Sequence, residues 1–163
     1  HFLVILNGNT TIYIILQYWL MMYCLGIVFI SFAQMCSVLL PKQSQAENCM
    51  NMYVAISFIL SGITLPLPQM NVIFAFLAQC FPLIYINGCV CALQFTTDAM
   101  RKNVINVYLE DQLQDMSLFN YVKTHYGFDT TSFSHGITML VLMSFIFQSI
   151  TIYAAKHIRY SDN

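Results

Sequence analysis

The chain has 163 residues, a formal net charge of −1 and only 8% charged residues, whereas 58% of its residues are hydrophobic. Because ordinary globular domains carry about a quarter charged residues, this composition, with a mean hydropathy of +0.66, indicates a membrane protein. The balanced charge and the lack of any Lys/Arg run exclude a basic binding surface, so we expect no nucleic-acid partner.

The first residues are apolar and lead into a turn of Asn, Gly and Thr at positions 7–10. Residues 1–6 are typical of the tail of an earlier membrane span. Because the chain starts with His1 rather than Met, we expect a further part of the protein upstream of it. Asn9 opens an Asn-Thr-Thr triplet, which fits the Asn-x-Thr pattern and makes this residue the candidate glycosylation site.

Three apolar stretches predict membrane-spanning helices at residues 12–40, 49–65 and 136–155. At about 1.5 Å per residue the first would reach roughly 43 Å, which exceeds the ~30 Å hydrocarbon core, so it must tilt or protrude. A charged turn at residues 41–48 separates the first two stretches. Lys156, His157 and Arg159 follow the last one, and a basic cluster at the end of a span favours the cytoplasmic side.

The segment at residues 69–95 differs from these spans because helix breakers interrupt it. No Asp, Glu, Lys or Arg occurs from residue 51 to residue 95, yet Pro66, Pro68 and Pro82 surround the segment. Broken helices at membrane depth are tolerated only where protein or a water-filled cavity satisfies the freed backbone groups. We therefore predict that the segment enters from outside and turns back. The alternative is a full crossing, which would make the chain a four-span structural or scaffold protein without transport activity.

Residues 96–134 hold most of the charged side chains and are predicted to form an extracellular loop. Within this loop Ile105, Leu109, Leu113 and Met116 recur at helical intervals and predict a surface helix with one apolar side. Three crossings place the N-terminus outside and the C-terminus in the cytoplasm. The predicted fold is all-α: a polytopic membrane protein with three transmembrane helices, a re-entrant helical segment and an extracellular loop.

One face of the predicted second span carries a mixed set of side chains. Asn51, Ala55, Phe58 and Gly62 are spaced so that they share this face. Polar, small and aromatic side chains together suit either the lining of a cavity or the packing of another helix, and their spacing leaves both open. An uncharged cavity of this kind suits amphipathic or apolar cargo.

No catalytic or metal site is predicted. The four histidines are scattered and no Asp or Glu lies within a span, so no nucleophile–base pair or His-x-x-x-His spacing occurs. The six cysteines lack the spacing of a zinc site and are expected to pack as small apolar side chains. A disulfide bond at Cys89 or Cys91 remains an alternative if these residues face an oxidising compartment. The ten methionines also allow the chain to be interpreted as a copper permease, because thioethers bind Cu(I). Methionine more often fills apolar gaps, however.

Several short motifs follow one another in order: Ser61-Gly62 at the end of a span, Pro82-Leu83-Ile84-Tyr85, Phe95, and a helical stretch ending in Gly127-Phe128-Asp129 before the last span. In this order they resemble the C-terminal half of the membrane domain of G-type (white/brown-type) ABC half-transporters, an ABC-2 type domain. The resemblance extends from about residue 12 to residue 159. Ile84 and Gln94 depart from that family, which usually has Arg or Lys at the first position and Glu at the second.

The resemblance implies that residues 1–163 are a partial ABC-2 type transmembrane domain containing the fourth, fifth and sixth spans. Two half-transporters would pair, as a homodimer or a heterodimer, around a central cavity. Carried over by position, the cavity residues are Asn51, Ala55 and Phe58, the outer plug is Ile63 with Thr64, and the re-entrant motif is Pro82, Tyr85 and Phe95.

The resemblance also implies ATP-driven export by alternating access. The sequence contains no G-x-x-x-x-G-K-[ST] phosphate loop, so we expect no cofactor in this part of the protein and assign ATP and Mg²⁺ to a nucleotide-binding domain upstream in the same chain. The implied cargo is lipid-like, a sterol or another amphipathic small molecule. The expected location is the plasma membrane or the membrane of an intracellular organelle.

Overall fold

A computed structural model describes residues 12–94, 104–109, 112–128 and 133–158, and within these residues it contains six α-helices, a 3₁₀ turn and a pair of short strands. In chain order the elements are α1 (Ile12–Leu39), α2 (Gln43–Ile59), a 3₁₀ turn (Leu67–Gln69), α3 (Val72–Ala78), α4 (Pro82–Gln94), β1 (Val104–Leu109), β2 (Gln112–Ser117), α5 (Leu118–Tyr126) and α6 (Phe133–His157). The predicted helical character is confirmed for the membrane part of the chain.

Helices α1 and α6 are long and apolar enough to cross a membrane, having 28 and 25 residues. They coincide with the predicted spans at residues 12–40 and 136–155, except that α6 begins earlier, at Phe133. About half of the large apolar side chains of α1 and α6 are exposed, as is typical of helices that face lipid.

Helices α1 and α6 run parallel to each other. Near their N-terminal ends Gln17 and Thr138 line the same groove. Further along, the Nε2 group of Gln148 donates hydrogen bonds to Ser31 Oγ at 3.1 Å and to Gln34 Oε1 at 2.8 Å. Because the contacts advance in the same order along both helices, the two helices point in the same direction.

Helix α2 runs antiparallel to α1. Cys49 Sγ lies 3.6 Å from Cys36 Sγ. One turn further along α2, Tyr53 stacks on Phe32, which lies one turn earlier in α1, with ring centroids 3.8 Å apart. The helix begins and ends earlier than the predicted span at residues 49–65, and its 17 residues are too few for it to count among the candidate spans.

The early end of α2 has a local cause. Gly62 has a φ of +81°, which no residue of a right-handed helix adopts, and a side chain there would be strained. The chain therefore leaves the helix before residue 62 and forms an irregular turn up to residue 65.

Helices α3 and α4 form a bent pair with an angle of 82° between them. Asn71 caps α3 by accepting a hydrogen bond from the Ile73 N–H at 3.4 Å. Pro82 starts α4, where its missing N–H is not needed, and the Tyr85 hydroxyl donates to the Gln79 carbonyl at 2.8 Å across the bend. The pair is apolar enough to be either a broken span or a re-entrant loop.

Helix α4 packs between α1 and α6. Gly136 allows the close approach, because a Cβ atom at this position would meet Cys89 Sγ and would lie 3.1 Å from the Tyr85 carbonyl oxygen. The buried cluster at this junction contains Met21, Cys24, Val28, Ile86, Cys89, Leu140 and Met143. This cluster holds α4 against the N-terminal halves of both long helices.

The predicted surface helix around residues 105–116 is wrong, because this stretch forms an antiparallel hairpin in which Ile105 pairs with Met116 and Leu109 with Gln112. The first strand is rich in β-branched and aromatic residues, which favour strands, and cross-strand pairing outweighs the helical spacing of the four apolar residues. Helix α5 follows directly, with Ser117 Oγ accepting from the Asn120 N–H at 3.3 Å.

Candidate functional site

Helix α2 has one buried face and one exposed face. Tyr53 and Ser57 lie on the inner face, and the Ser57 hydroxyl donates to the Tyr53 carbonyl at 2.7 Å. Asn51, Ala55 and Phe58, the three predicted cavity residues, lie together on the outer face, where Phe58 is 61% exposed. The described part of the chain therefore leaves an uncharged polar, small and aromatic face uncovered.

Tyr53 anchors the inner face of α2, and the sequence analysis missed it. Its ring stacks on Phe32 of α1, lies 5.2 Å from the Phe81 ring at the α3–α4 bend, and lies 6.2 Å from the Phe147 ring of α6. Its hydroxyl is buried without a hydrogen-bond partner among the described residues. The one signal in the sequence is its position on the helix face opposite Ala55.

The predicted plug residues lie in the turn that follows α2. Ile63 is 57% exposed, and its N–H donates to Ser61 Oγ at 3.4 Å. The Thr64 hydroxyl donates to the Phe58 carbonyl at 3.3 Å, so its proton is directed back to the end of α2. The turn thus brings both plug residues next to Phe58, at one end of the exposed face.

An amide side chain of α4 holds this turn in place. Asn87 Nδ2 donates to the Ser61 carbonyl at 2.8 Å, across 26 residues of sequence. The carbonyl belongs to the turn that directly follows α2, where no helical hydrogen bond satisfies it, and an unpaired buried carbonyl costs about 1–3 kcal/mol. Asn87 therefore connects the bent pair to the turn that carries Ile63 and Thr64.

Phe128 covers the same turn from the other side. It is buried in a cluster with Leu60, Met70, Ala78, Phe81 and Ile84. The absent side chain of Gly62 makes room for its ring, because a Cβ atom on Gly62 would lie 2.9 Å from Phe128 Cζ. Gly127, the left-handed cap of α5, is in turn packed on Leu67 and Pro68. Helix α5 is thereby fixed to the turn after α2.

The remaining predicted site residues have separate places. Pro82 is buried at the start of α4, and Tyr85 closes the α3–α4 bend. Ile84 is buried in the cluster around Phe128, so an apolar side chain suits this position. Phe95 and Asn9 lie outside the described residues.

The described part of the chain contains no set of side chains that could bind a metal ion. Within residues 12–94, 104–109, 112–128 and 133–158, no group of three or more His, Cys, Asp or Glu side chains could hold a metal ion. The described residues form an exposed face on α2, a turn at its end, and two side chains, Asn87 and Phe128, that hold the turn in place.

The family model for the ABC-2 type transporter matches residues 2–95, which is more than half of the chain. The chain belongs to the ABC-2 type transporter family. No curated protein and no solved structure matches it. As an ABC-2 type membrane domain, it is a permease component of an ABC transporter, which works in a membrane together with an ATPase domain. The matched residues include α1 to α4, and thus the exposed face of α2 and its turn.

Proposed function

We propose that the chain forms part of the permease of a G-type ABC half-transporter, which exports lipid-like, sterol or other amphipathic small molecules. Two half-transporters, identical or different, pair so that the exposed faces of their α2 helices line a shared cavity. The observation that supports this proposal is the exposure of Asn51, Ala55 and Phe58 on one face, while Tyr53 fixes the opposite face to three other elements.

Three crossings with a re-entrant α3–α4 pair agree with the helix directions. Helices α1 and α6 run parallel, and α2 returns antiparallel to α1, so the chain from the end of α2 to the start of α6 makes no net crossing. Tyr53 is level with Phe32, which lies ~30 Å along α1 from Ile12, whereas Leu60 lies only ~10 Å beyond Tyr53. The turn after α2 therefore starts at membrane depth. There the hydrogen bond from Asn87 satisfies the Ser61 carbonyl, and the Phe128 ring covers the turn.

Alternating access is the proposed mechanism. ATP binding and hydrolysis in a nucleotide-binding domain, which holds the ATP and Mg²⁺, rock the two membrane halves against each other. Ile63 and Thr64 close the outer end of the cavity when it opens to the inside. Cargo shifts this equilibrium only through different affinities for the two states, so cavity side chains control how strongly cargo stimulates ATP hydrolysis. The plasma membrane or an organelle membrane is the proposed location.

Replacing Phe58 by Ala tests the cavity. The substitution removes the largest side chain of the exposed face, and we expect it to change cargo-stimulated ATPase activity of the full-length transporter much more than its surface expression. Phe145→Ala is the matched control. Phe145 is 71% exposed, and it lies two residues before Phe147, so it is on the opposite side of α6 from the ring that meets Tyr53 of α2. An unchanged cargo response in a normally expressed Phe58→Ala variant removes Phe58 from the cavity.

A further inference from the structure

Two free thiols face each other across the seam between α1 and α2. Cys36 Sγ lies 3.6 Å from Cys49 Sγ, and the two residues are 13 positions apart in the sequence. Cys36 is 3% exposed and Cys49 is partly exposed. A groove of about 690 Å³ along the same helix ends is lined by Ser37 and Met50, the sequence neighbours of the two cysteines. This groove lies beside the seam, at the helix ends where the pair is found.

We propose that Cys36 and Cys49 form a peroxide-sensitive pair whose oxidation links α1 covalently to α2. A disulfide bond is ~2.05 Å long, so the two sulfur atoms, now 3.6 Å apart, have to approach by about 1.5 Å. The other four cysteines are placed differently. Cys24 and Cys89 lie in the cluster of α1, α4 and α6, Cys91 of α4 packs against the cluster that contains Phe128, and Cys80 is exposed at the α3–α4 bend.

The oxidation takes place in two steps with hydrogen peroxide as the oxidant. Cys49 sulfur attacks one peroxide oxygen, the O–O bond breaks, and a sulfenic acid and one water molecule form. Cys36 sulfur then attacks the Cys49 sulfur, the S–O bond breaks, and a second water molecule leaves. Overall, the two thiols lose two protons and two electrons, and one peroxide is reduced to two water molecules.

The link would act on α2, the helix whose opposite face carries the proposed cavity residues. Cys49 lies two residues before Asn51, and the Phe32–Tyr53 stack continues the same seam one turn further along. A covalent bond here prevents α2 from moving away from α1. Its effect on transport rests on the proposed alternating access, whereas formation of the bond does not.

Trypsin separates the two cysteines, because Lys42 is exposed and is the single Lys or Arg between them. Full-length protein in membrane vesicles is treated with peroxide, free thiols are blocked with N-ethylmaleimide, and the denatured protein is digested. We expect a linked peptide pair that dithiothreitol separates. Cys36→Ser and Cys49→Ser must abolish this pair, whereas Cys24→Ser, a buried cysteine of the same helix, must retain it. Absence of the linked pair, or its persistence in Cys36→Ser, overturns the proposal.

ATPase activity of the same vesicles tests the consequence. We expect peroxide to lower the activity severalfold in the unmodified protein and in Cys24→Ser, dithiothreitol to restore it, and Cys49→Ser to be insensitive. If the linked peptide pair forms but ATPase activity is unchanged, the proposal that this bond controls transport is wrong. A protein without any ATPase activity contradicts the proposed function instead, because the peptide link is measured independently of activity.

Discussion

Gly62→Ala is expected to loosen the contact between the turn after α2 and Phe128. Two costs add. Holding an alanine at a φ of +81° costs about 1–2 kcal/mol of folding free energy relative to a right-handed conformation. Its Cβ atom would lie 2.9 Å from Phe128 Cζ and 3.0 Å from Cε1, and such overpacking costs about 1–3 kcal/mol. Alanine has fewer accessible conformations than glycine in the unfolded chain, and this difference stabilises the folded variant by about 0.4–1 kcal/mol. The net destabilisation is therefore about 2–4 kcal/mol.

Alkylation of Cys91 measures this loosening. Cys91 is half-buried and lines a cavity of about 230 Å³ together with Phe128 and Ile63, so release of Phe128 exposes its thiol. When opening and closing are fast, the labelling rate follows the opening equilibrium, and 3 kcal/mol corresponds to a roughly 100-fold increase. Mass spectrometry of the labelled peptides follows Cys91, with Cys24 in the other buried cluster as the internal control.

The double variant Gly62→Ala/Phe128→Ala separates the two costs. Without the Phe128 ring the steric part vanishes and only the backbone part remains, so the two substitutions together cost about 1–3 kcal/mol less than their sum. A Cys91 labelling rate that stays unchanged in Gly62→Ala refutes the reasoning. Strict additivity of the two substitutions refutes the contact between Gly62 and Phe128.

Three further results are expected. Asn87→Leu leaves the Ser61 carbonyl unpaired and lowers the stability of the detergent-solubilised protein by about 1–3 kcal/mol, so an unchanged melting temperature contradicts the role of this bond. Gln148→Leu removes the hydrogen bonds between α6 and α1 and costs about 0.6–1.7 kcal/mol in the same assay, and no loss would mean that apolar packing alone joins these helices. If Asn9 carries a glycan, its enzymatic removal raises gel mobility, and Asn9→Gln abolishes that difference.

Part of this molecule could be predicted residue by residue. That Asn51, Ala55 and Phe58 share one face of α2 followed from their spacing, because helical periodicity alone decides which residues share a face. Which face is buried was not predictable, since that depends on Tyr53 meeting Phe32 and on the rings of α6 and the α3–α4 bend. The hairpin at residues 104–117 was missed because strand pairing is a contact between segments.

The sequence by itself determined the membrane class, the two long apolar helices and the positions of the breaks. Each of these follows from hydropathy or from the local conformational limits of Pro and Gly, which act within a few residues. Only the tertiary structure decided which distant groups meet: the Asn87 amide with the Ser61 carbonyl, and Cys36 with Cys49. The physical reason is that a carbonyl freed at a helix end needs a donor from another element, and the packing of whole helices chooses that donor.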